Sequence, residues 1–317
     1  MYGCPNQSIP VKFYIVAFSA SPAGHLSLFI GVLLMYLMTI LGNVTIITLV
    51  CAVKKIHTPM YFFLCNLSFL DLISTTSIIP KLLFITLTQD HSISIHGCIA
   101  QLFFFMLCGT GVLLILTSMA YDRYVAVCRP LQYYLIMSKF LCVVMAVVSW
   151  LVGTFNSLMH TILTSLLMFC ISHDINNFFC ELSSLISISS SDANSRKILI
   201  AIEDFFLGFL PFFLIILSYI FIICNIMKIR SKHGRLKAFS SCTSHLLTVT
   251  LFGGPGILFY IRTQFSHEED KDKLLSVLFL IVVPMLNPLV YSLRNKDIWE
   301  ATAAITKRKC TRGAFSF

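Results

Sequence analysis

Charged residues are scarce in this sequence, and long stretches lack them altogether. Asp, Glu, Lys and Arg make up 12% of the 317 residues, against 57% hydrophobic residues and a mean hydropathy of +0.86. Soluble domains usually carry about 25% charged residues, so the scarcity argues against two soluble domains. The gaps between charges mark seven apolar segments: Lys12 to Lys54, Lys55 to Asp71, Asp90 to Asp122, Lys139 to Asp174, Asp204 to Lys228, Lys237 to Arg262 and Lys273 to Arg294.

These intervals predict membrane-spanning helices. Most exceed the roughly 20 residues that a helix needs to cross the hydrocarbon core, and apolar residues on both sides of Asp71 complete the second. The expected fold is an all-α membrane protein, a seven-transmembrane helix bundle. It comprises an extracellular N-terminus (1–25), a transmembrane domain (26–293) and a cytoplasmic tail (294–317). In the tail, Ile298 and Trp299 near the basic run 307–309 predict a short amphipathic helix at the membrane interface.

The formal net charge of +9 reflects topology rather than nucleic-acid binding. Most of the 23 basic residues fall after the first, third and fifth segments and in the C-terminal stretch, whereas the opposite side carries acids and bases in similar numbers. Basic loops remain in the cytoplasm. We therefore expect the N-terminus outside and the C-terminus inside, with the lipid bilayer as a partner and no nucleic acid.

Other absences narrow the function. The apolar segments hold no cluster of metal ligands and no nucleophile with a suitably spaced base, so the sequence indicates neither an enzyme nor a cofactor. A transporter or channel is disfavoured because there is no internal repeat and the only mid-segment charges are Asp71 and the Glu203–Asp204 pair. The seventh segment lacks the Lys that a retinal photoreceptor needs.

Five strings carry a resemblance to a known family. Met119 to Tyr133 reads MAYDRYVAVCRPLQY and closes the third segment; the others are PMYFFL at 59–64, LSFLD at 67–71, KAFSSCTSHL at 237–246 and PMLNPLVYSLRN at 284–295. Together they resemble the signature of odorant receptors, within the rhodopsin-like G-protein-coupled receptors, over about residues 6 to 300.

The resemblance implies a function. It predicts a plasma-membrane receptor that binds a small, mostly apolar volatile ligand within the bundle and activates a stimulatory heterotrimeric G protein to raise cyclic AMP. The alternatives are a non-olfactory rhodopsin-like receptor for another small ligand and, with less support, a seven-helix transporter or channel.

Two features of the sequence suggest an activation switch. The adjacent Asp122 and Arg123 are expected where the third helix meets the cytoplasm. Their opposite charges can neutralise each other, and the state of the helix bundle determines which groups they contact. Pro288 interrupts its helix and Asn287 can bond the freed carbonyls, which predicts a hinge. With the resemblance, the expected switch and G-protein coupling residues are Asp122, Arg123, Tyr124, Tyr219, His245, Asn287, Pro288 and Tyr291.

Asn43 and Asp71 are polar residues at membrane depth and should face the bundle interior. The resemblance implies that the Asp holds a sodium ion or a proton. Odorant receptors commonly add a Glu to this site, but Val112 stands at that position, so a weak sodium site and a protonated or water-bonded Asp71 in contact with Asn43 and Asn287 are both open.

The resemblance also implies a ligand pocket in the outer half of the bundle. Its predicted residues are Phe105, Met106, Gly109, Thr110, Glu203, Leu207, Gly256, Ile257 and Tyr260. Either Glu203 or Asp204 faces the ligand, or both reach outer water or pair with Arg262. His160, alone in its segment, is expected to be a hydrogen-bonded packing residue. The usual Phe-Tyr-Gly of the sixth segment reads Phe-Gly-Gly at 252–254.

On the outer side, the resemblance implies a disulfide between Cys98 and Cys180. The family's second bridge lacks one partner because Ser190 replaces the Cys, so Cys170 is either free or paired with Cys4. Asn6 begins a glycosylation sequon on the outer side.

Overall fold

A computed structural model of the chain describes residues 12–18, 21–169, 172–189, 194–265 and 269–293. Its long helices pack against one another as a bundle. The helices are α1 (Pro22–Ala52), α2 (Pro59–Thr88), α3 (Ile95–Cys128), α4 (Tyr133–Ile136), α5 (Lys139–Ser165), α6 (Leu182–Ser187), α7 (Asn194–Glu203), α8 (Leu210–Lys228), α9 (Lys232–Phe265), α10 (Glu269–Val277) and α11 (Val283–Leu293). Single-turn helices occupy Lys54–Ile56 and Pro130–Gln132, and π-helical segments at Asp204–Phe209 and Leu278–Val282 connect α7 to α8 and α10 to α11.

Six of the described helical stretches are long and apolar enough to cross a membrane: Pro22–Ala52, Pro59–Thr88, Ile95–Cys128, Lys139–Ser165, Ile198–Lys228 and Lys273–Tyr291. Helix α9 occupies the place of the remaining predicted span, the sixth, and contacts α3, α8 and α11. Large exposed apolar side chains recur every three or four residues along α1, at Leu26, Ile30, Leu34, Leu37 and Leu41. A stripe at helical spacing that faces away from the bundle is the surface that lipid covers.

The connection between α8 and α9 is short, since α8 ends at Lys228 and α9 begins at Lys232. Ser231 stabilises this early start because its hydroxyl accepts a hydrogen bond from the backbone N–H of Gly234 (3.3 Å), as an N-cap residue does. The helix therefore begins before the charge-free interval that predicts the sixth span, which starts after Lys237.

Each π-helical segment ends two residues before a proline. The N–H of Leu210, which precedes Pro211, bonds the carbonyl of Phe205, and the N–H of Val283, which precedes Pro284, bonds that of Leu278. A proline has no N–H, and its ring clashes with the carbonyl four residues earlier. One extra residue in the preceding turn moves that carbonyl aside, so each proline is accommodated by a π turn.

The part of the chain that the structure describes also contains a small sheet that the sequence analysis does not predict. Strand β1 (Lys12–Ile15) lies between β2 (Ser92–Ser94), to which it is antiparallel, and β3 (Asp174–Ile175), to which it is parallel. Phe13 and Ile15 are fully buried beneath the sheet, whereas the alternate residues face outward. The N-terminal stretch is therefore part of the outer cap of the bundle.

Glycines allow two of the closest helix approaches. A Cβ at Gly42 of α1 would lie 2.9 Å from the Cβ of Pro288 in α11, and a Cβ at Gly253 of α9 would overlap the ring of Phe212 in α8. The second contact is consistent with Gly253 at the position where odorant receptors usually have Tyr, because the ring of Phe212 occupies the space that a side chain there would need.

The α1–α11 contact gives a first prediction. Gly42→Ala should lower the midpoint of thermal unfolding of the detergent-purified protein, because overpacking a helix contact costs about 1–3 kcal/mol. Gly31→Ala in the same helix is the control, since a Cβ there meets nothing within 4 Å. Equal midpoints for the two variants would contradict the packing described for α1 and α11.

Candidate functional site

The inner end of α3 carries a buried charge network. The guanidinium of Arg123 donates to Asp122 Oδ2 from Nε (3.0 Å) and Nη2 (2.5 Å), and the hydroxyl of Tyr133 donates to Asp122 Oδ1 (2.7 Å). Asp122 is fully buried. Burial and the neighbouring Asp122 raise the pKa of the Tyr133 phenol, so it remains a donor at neutral pH. Tyr133 has no role in the sequence analysis, although it closes the longest family string.

A second network joins α3, α8 and α9. His245 Nε2 lies 3.1 Å from the carbonyl oxygen of Leu116, and His245 Nδ1 lies 2.7 Å from the hydroxyl of Tyr219. A carbonyl only accepts, so Nε2 is the donor and Nδ1 of the neutral ring accepts from Tyr219. The Tyr219 hydroxyl also lies 3.3 Å from the carbonyl oxygen of Cys242. One histidine therefore ties the inner halves of three helices together.

Two other predicted switch residues lie close by. The ring of Tyr124 stacks on that of Tyr121 at 6.3 Å and meets that of Phe221 edge-on at 6.1 Å. Tyr291 is buried in the same apolar cluster as Tyr219. The predicted switch residues of α3, α8, α9 and α11 thus come together at the inner half of the bundle.

The polar core corrects one detail of the sequence analysis. Asn287 donates to Asp71 Oδ2 (2.9 Å) rather than to the carbonyls freed by Pro288. The carbonyl of Pro284, four residues before Pro288, instead accepts from Asn43 Nδ2 (3.2 Å). Asn43 also donates to the carbonyl of Thr39 (3.0 Å), so its amide hydrogens serve backbone carbonyls and not Asp71. The hydrocarbon core holds no water to satisfy an orphan carbonyl, which is why a side chain from α1 does so.

A small cavity lies beside Asp71. It leaves about 20 Å³ for the centre of a water-sized sphere, which corresponds to about one water molecule. Val112 lines it where the resembling family commonly has a Glu, and predicted pocket residues Phe105 and Gly109, from the same helix, line it as well. The remaining lining residues are Ser74, Cys108, Phe252, Phe279, Leu280, Val283 and Pro284.

The outer half of the predicted pocket has a polar wall. Thr110 accepts a hydrogen bond from Asn156 Nδ2 (3.0 Å). Glu203 Oε2 pairs with His160 Nε2, and both side chains are largely buried. The sequence analysis raised water or Arg262 as partners for Glu203 and missed His160. Two other predicted pocket residues lie nearby. Leu207 is inside the first π segment, and Met106 packs, partly buried, against a cluster of apolar side chains at the outer end of the bundle.

The outer loops close over this region. Cys98 and Cys180 form the predicted disulfide, which joins the start of α3 to the loop before α6. The N–H of Cys180 donates to Gln101 Oε1 (3.2 Å), and Phe179 meets predicted pocket residue Phe105 edge-on at 5.0 Å. The loop that carries Cys180 therefore packs directly onto the pocket helix.

Comparison with known proteins decides the family. A family model described as olfactory receptor matches residues 32–309. The chain belongs to the olfactory receptor family. It is 43% identical to olfactory receptor 5AR1 of Mus musculus over 96% of this chain and 98% of that protein. Olfactory receptor 5I1 of Homo sapiens is 39% identical over 96% and 97%, and olfactory receptor 1E16 of Mus musculus is 42% identical over 96% and 97%.

Family membership confirms the predicted seven-transmembrane fold and the non-enzymatic odorant receptor function, and it sets aside the transporter and channel alternatives. Several expectations fall outside the described residues or side chains. These are the sequon at Asn6, the state of Cys4 and Cys170, and the interfacial helix of 294–317. The side chains of Asp204, Ile257, Tyr260 and Arg262 are not described either. The assignment of ligand and switch roles to individual residues stays a prediction.

The disulfide of this olfactory receptor gives a second prediction. Cys98→Ser or Cys180→Ser should sharply reduce the amount of protein at the cell surface, because a bridge of this kind is typically worth about 2–4 kcal/mol. Cys51→Ser is the control, since Cys51 is an exposed free cysteine on α1. Surface staining of intact cells measures the effect, and normal surface levels of the Cys98 and Cys180 variants would refute it.

A third prediction concerns Tyr133. Tyr133→Phe removes a hydrogen bond to Asp122, the residue that engages Arg123. Its loss should favour a second, signalling state of the bundle in which Arg123 is released. One such bond is worth about 0.5–1.5 kcal/mol, so ligand-independent cyclic AMP should rise about two- to tenfold. Tyr134→Phe is the matched control because Tyr134 is 91% exposed. Equal basal signals for the two variants, at equal surface levels, would exclude this role.

Proposed function

We propose that the chain is an odorant receptor that binds a small, mostly apolar volatile compound in the outer half of the bundle and signals through a stimulatory G protein to raise cyclic AMP. Family membership supports receptor function and G-protein coupling in general. The observation that carries the specific proposal is the buried Arg123–Asp122–Tyr133 network at the inner end of α3. A charged pair held this way has one arrangement with the guanidinium engaged and another in which it is released.

The His245 network supplies the proposed lock. While His245 bonds both Leu116 of α3 and Tyr219 of α8, α9 is held against those two helices. Ligand binding favours a second arrangement in which these bonds open and α9 moves outward, which is a shift between two populations. Arg123 then leaves Asp122 and contacts the G-protein α subunit.

The proposed ligand end combines the apolar wall formed by Phe105 and Gly109 with the polar wall formed by Thr110 and Glu203. Apolar surface supplies most of the binding free energy for such ligands, and a few placed polar groups fix their orientation. The small size of the cavity beside Asp71 and the hydrogen bond from Asn287 to Asp71 support a water molecule in the cavity or a proton on Asp71, rather than a tightly held sodium ion. Val112 supplies no second negative charge there.

We also propose that the receptor lies in the plasma membrane with its N-terminus outside and its C-terminus in the cytoplasm. The distribution of basic residues supports this orientation. The Cys98–Cys180 disulfide supports it as well, because disulfides form on the oxidising outer side. The Arg123 network then faces the compartment that contains the G protein.

A fourth prediction tests coupling. Arg123→Ala should abolish the ligand-driven rise in cyclic AMP while the receptor still reaches the surface, since the variant removes the proposed G-protein contact. Lys139→Ala, at the start of α5 on the same side, is the control and should respond like the parent. Forskolin, which stimulates the cyclase directly, verifies the assay in every variant. A full ligand response from Arg123→Ala would disprove the coupling role.

A further inference from the structure

A stripe of polar side chains runs along the buried face of α5. It consists of Ser149, Asn156, Ser157, His160 and Thr164, all at most 6% exposed and spaced as one helix face requires. Ser157 bonds the carbonyl of Phe103, Asn156 bonds Thr110, and His160 pairs with Glu203. The stripe therefore forms the polar wall of the predicted pocket, facing α3 on one side and the end of α7 on the other.

Several buried acceptors in this wall have no hydrogen-bond donor among the residues that the structure describes. They are Asn156 Oδ1, Thr164 Oγ1 and both carboxyl oxygens of Glu203. His160 meets the Glu203 carboxyl group as an ion pair, through Oε2 alone. A buried acceptor without a donor destabilises the protein, and a charged acceptor does so more than a neutral one. Anything that brings a donor to these atoms is therefore stabilised.

The position of Glu203 makes the ligand the natural source of that donor. Glu203 is the last residue of α7 and directly precedes the π segment Asp204–Phe209. Helix segments of this kind frequently lie at functional sites because they re-aim side chains. The unpartnered acceptor of Asn156 belongs to the amide whose nitrogen bonds Thr110 on α3.

Resting on the proposed odorant receptor function, we propose that the Glu203–His160 pair selects odorants that carry a hydrogen-bond donor, an O–H or N–H group, on an apolar body. The donor binds Glu203, and His160 is a positioning residue that holds the carboxyl group from its other oxygen. Anionic odorants such as carboxylates are disfavoured because they bring a second negative charge and no donor. A site built to bond a donor rejects an analogue that lacks it far more strongly than an apolar pocket rejects a missing methyl group.

The test compares matched odorants on cells that express the receptor. The probes are octanol and benzyl alcohol, each with its methyl ether, which keeps the apolar body and loses the donor. We expect the ether to need about 10- to 100-fold more compound for a half-maximal cyclic AMP response, as one hydrogen bond to a charged acceptor implies. Because the ratio is taken within one receptor, differences in expression cancel.

Variants then test whether the difference in potency between alcohol and ether depends on the Glu203–His160 pair. Glu203→Leu should bring the alcohol-to-ether ratio to about one, and Glu203→Gln, which keeps the volume and a neutral acceptor, should retain part of it. His160→Leu should reduce the ratio, and His160→Gln, which still donates, should restore it; a merely structural role would change both odorants alike. Asp90→Asn is the control because it neutralises an exposed acid of the outer side, and its ratio should match that of the parent.

The outcomes separate this inference from the receptor function. Alcohols and ethers of equal potency on the parent receptor, or a ratio unchanged in Glu203→Leu, would overturn the inference. The receptor function would stand in that case if the responses still required Arg123. A response to the probes that persists in Arg123→Ala would count against the proposed coupling instead. Should Glu203→Leu not reach the surface, Glu203→Gln and the His160 variants supply the comparison.

Discussion

The bundle depends on one constraint, that a backbone carbonyl inside hydrocarbon must find a donor within the protein. Pro288 leaves the carbonyl of Pro284 without its helical partner, and Asn43 of α1 supplies the missing bond. Gly42, its neighbour, lets the two helices approach closely enough for this to happen. Asn287 is then available to bond Asp71 of α2. A single proline thus fixes how α1, α2 and α11 meet.

Prolines also shape the outer half, where the ligand is proposed to bind. Each of the two π segments precedes a proline and lies beside the proposed pocket. Glu203 directly precedes the first segment, and Phe279 and Leu280 of the second line the cavity beside Asp71. A π turn rotates the following residues relative to a regular helix. The side chains that face the pocket are therefore set by where the prolines fall.

Much of this architecture was predictable from the sequence, and the exceptions have physical causes. Charge-free intervals locate the helices because a charge within hydrocarbon is costly, and the family strings contain most of the residues of the proposed switch. The β1 strand was not predictable, since its four residues pair only with strands far away in sequence. Asn43 and Asn287 carry the same amide, so the sequence cannot tell which one serves the freed carbonyl. His160 and Glu203 lie on different helices, and only the tertiary fold brings them together.

The two ends of the receptor share mechanical elements. Helix α3 carries Thr110 toward the proposed ligand end, Leu116 near its middle and Arg123 at the end proposed to face the cytoplasm. Helix α8 continues from the π segment beside Glu203 and presents Tyr219 to His245. It spans 19 residues, about 28 Å at 1.5 Å per residue. Coupling requires an element with two arrangements that both sites bias, and we propose that the His245 bonds to α3 and α8 are that element. In this proposal, a ligand that moves the outer end of α8 relative to α3 strains those bonds through α8 itself, which carries Tyr219.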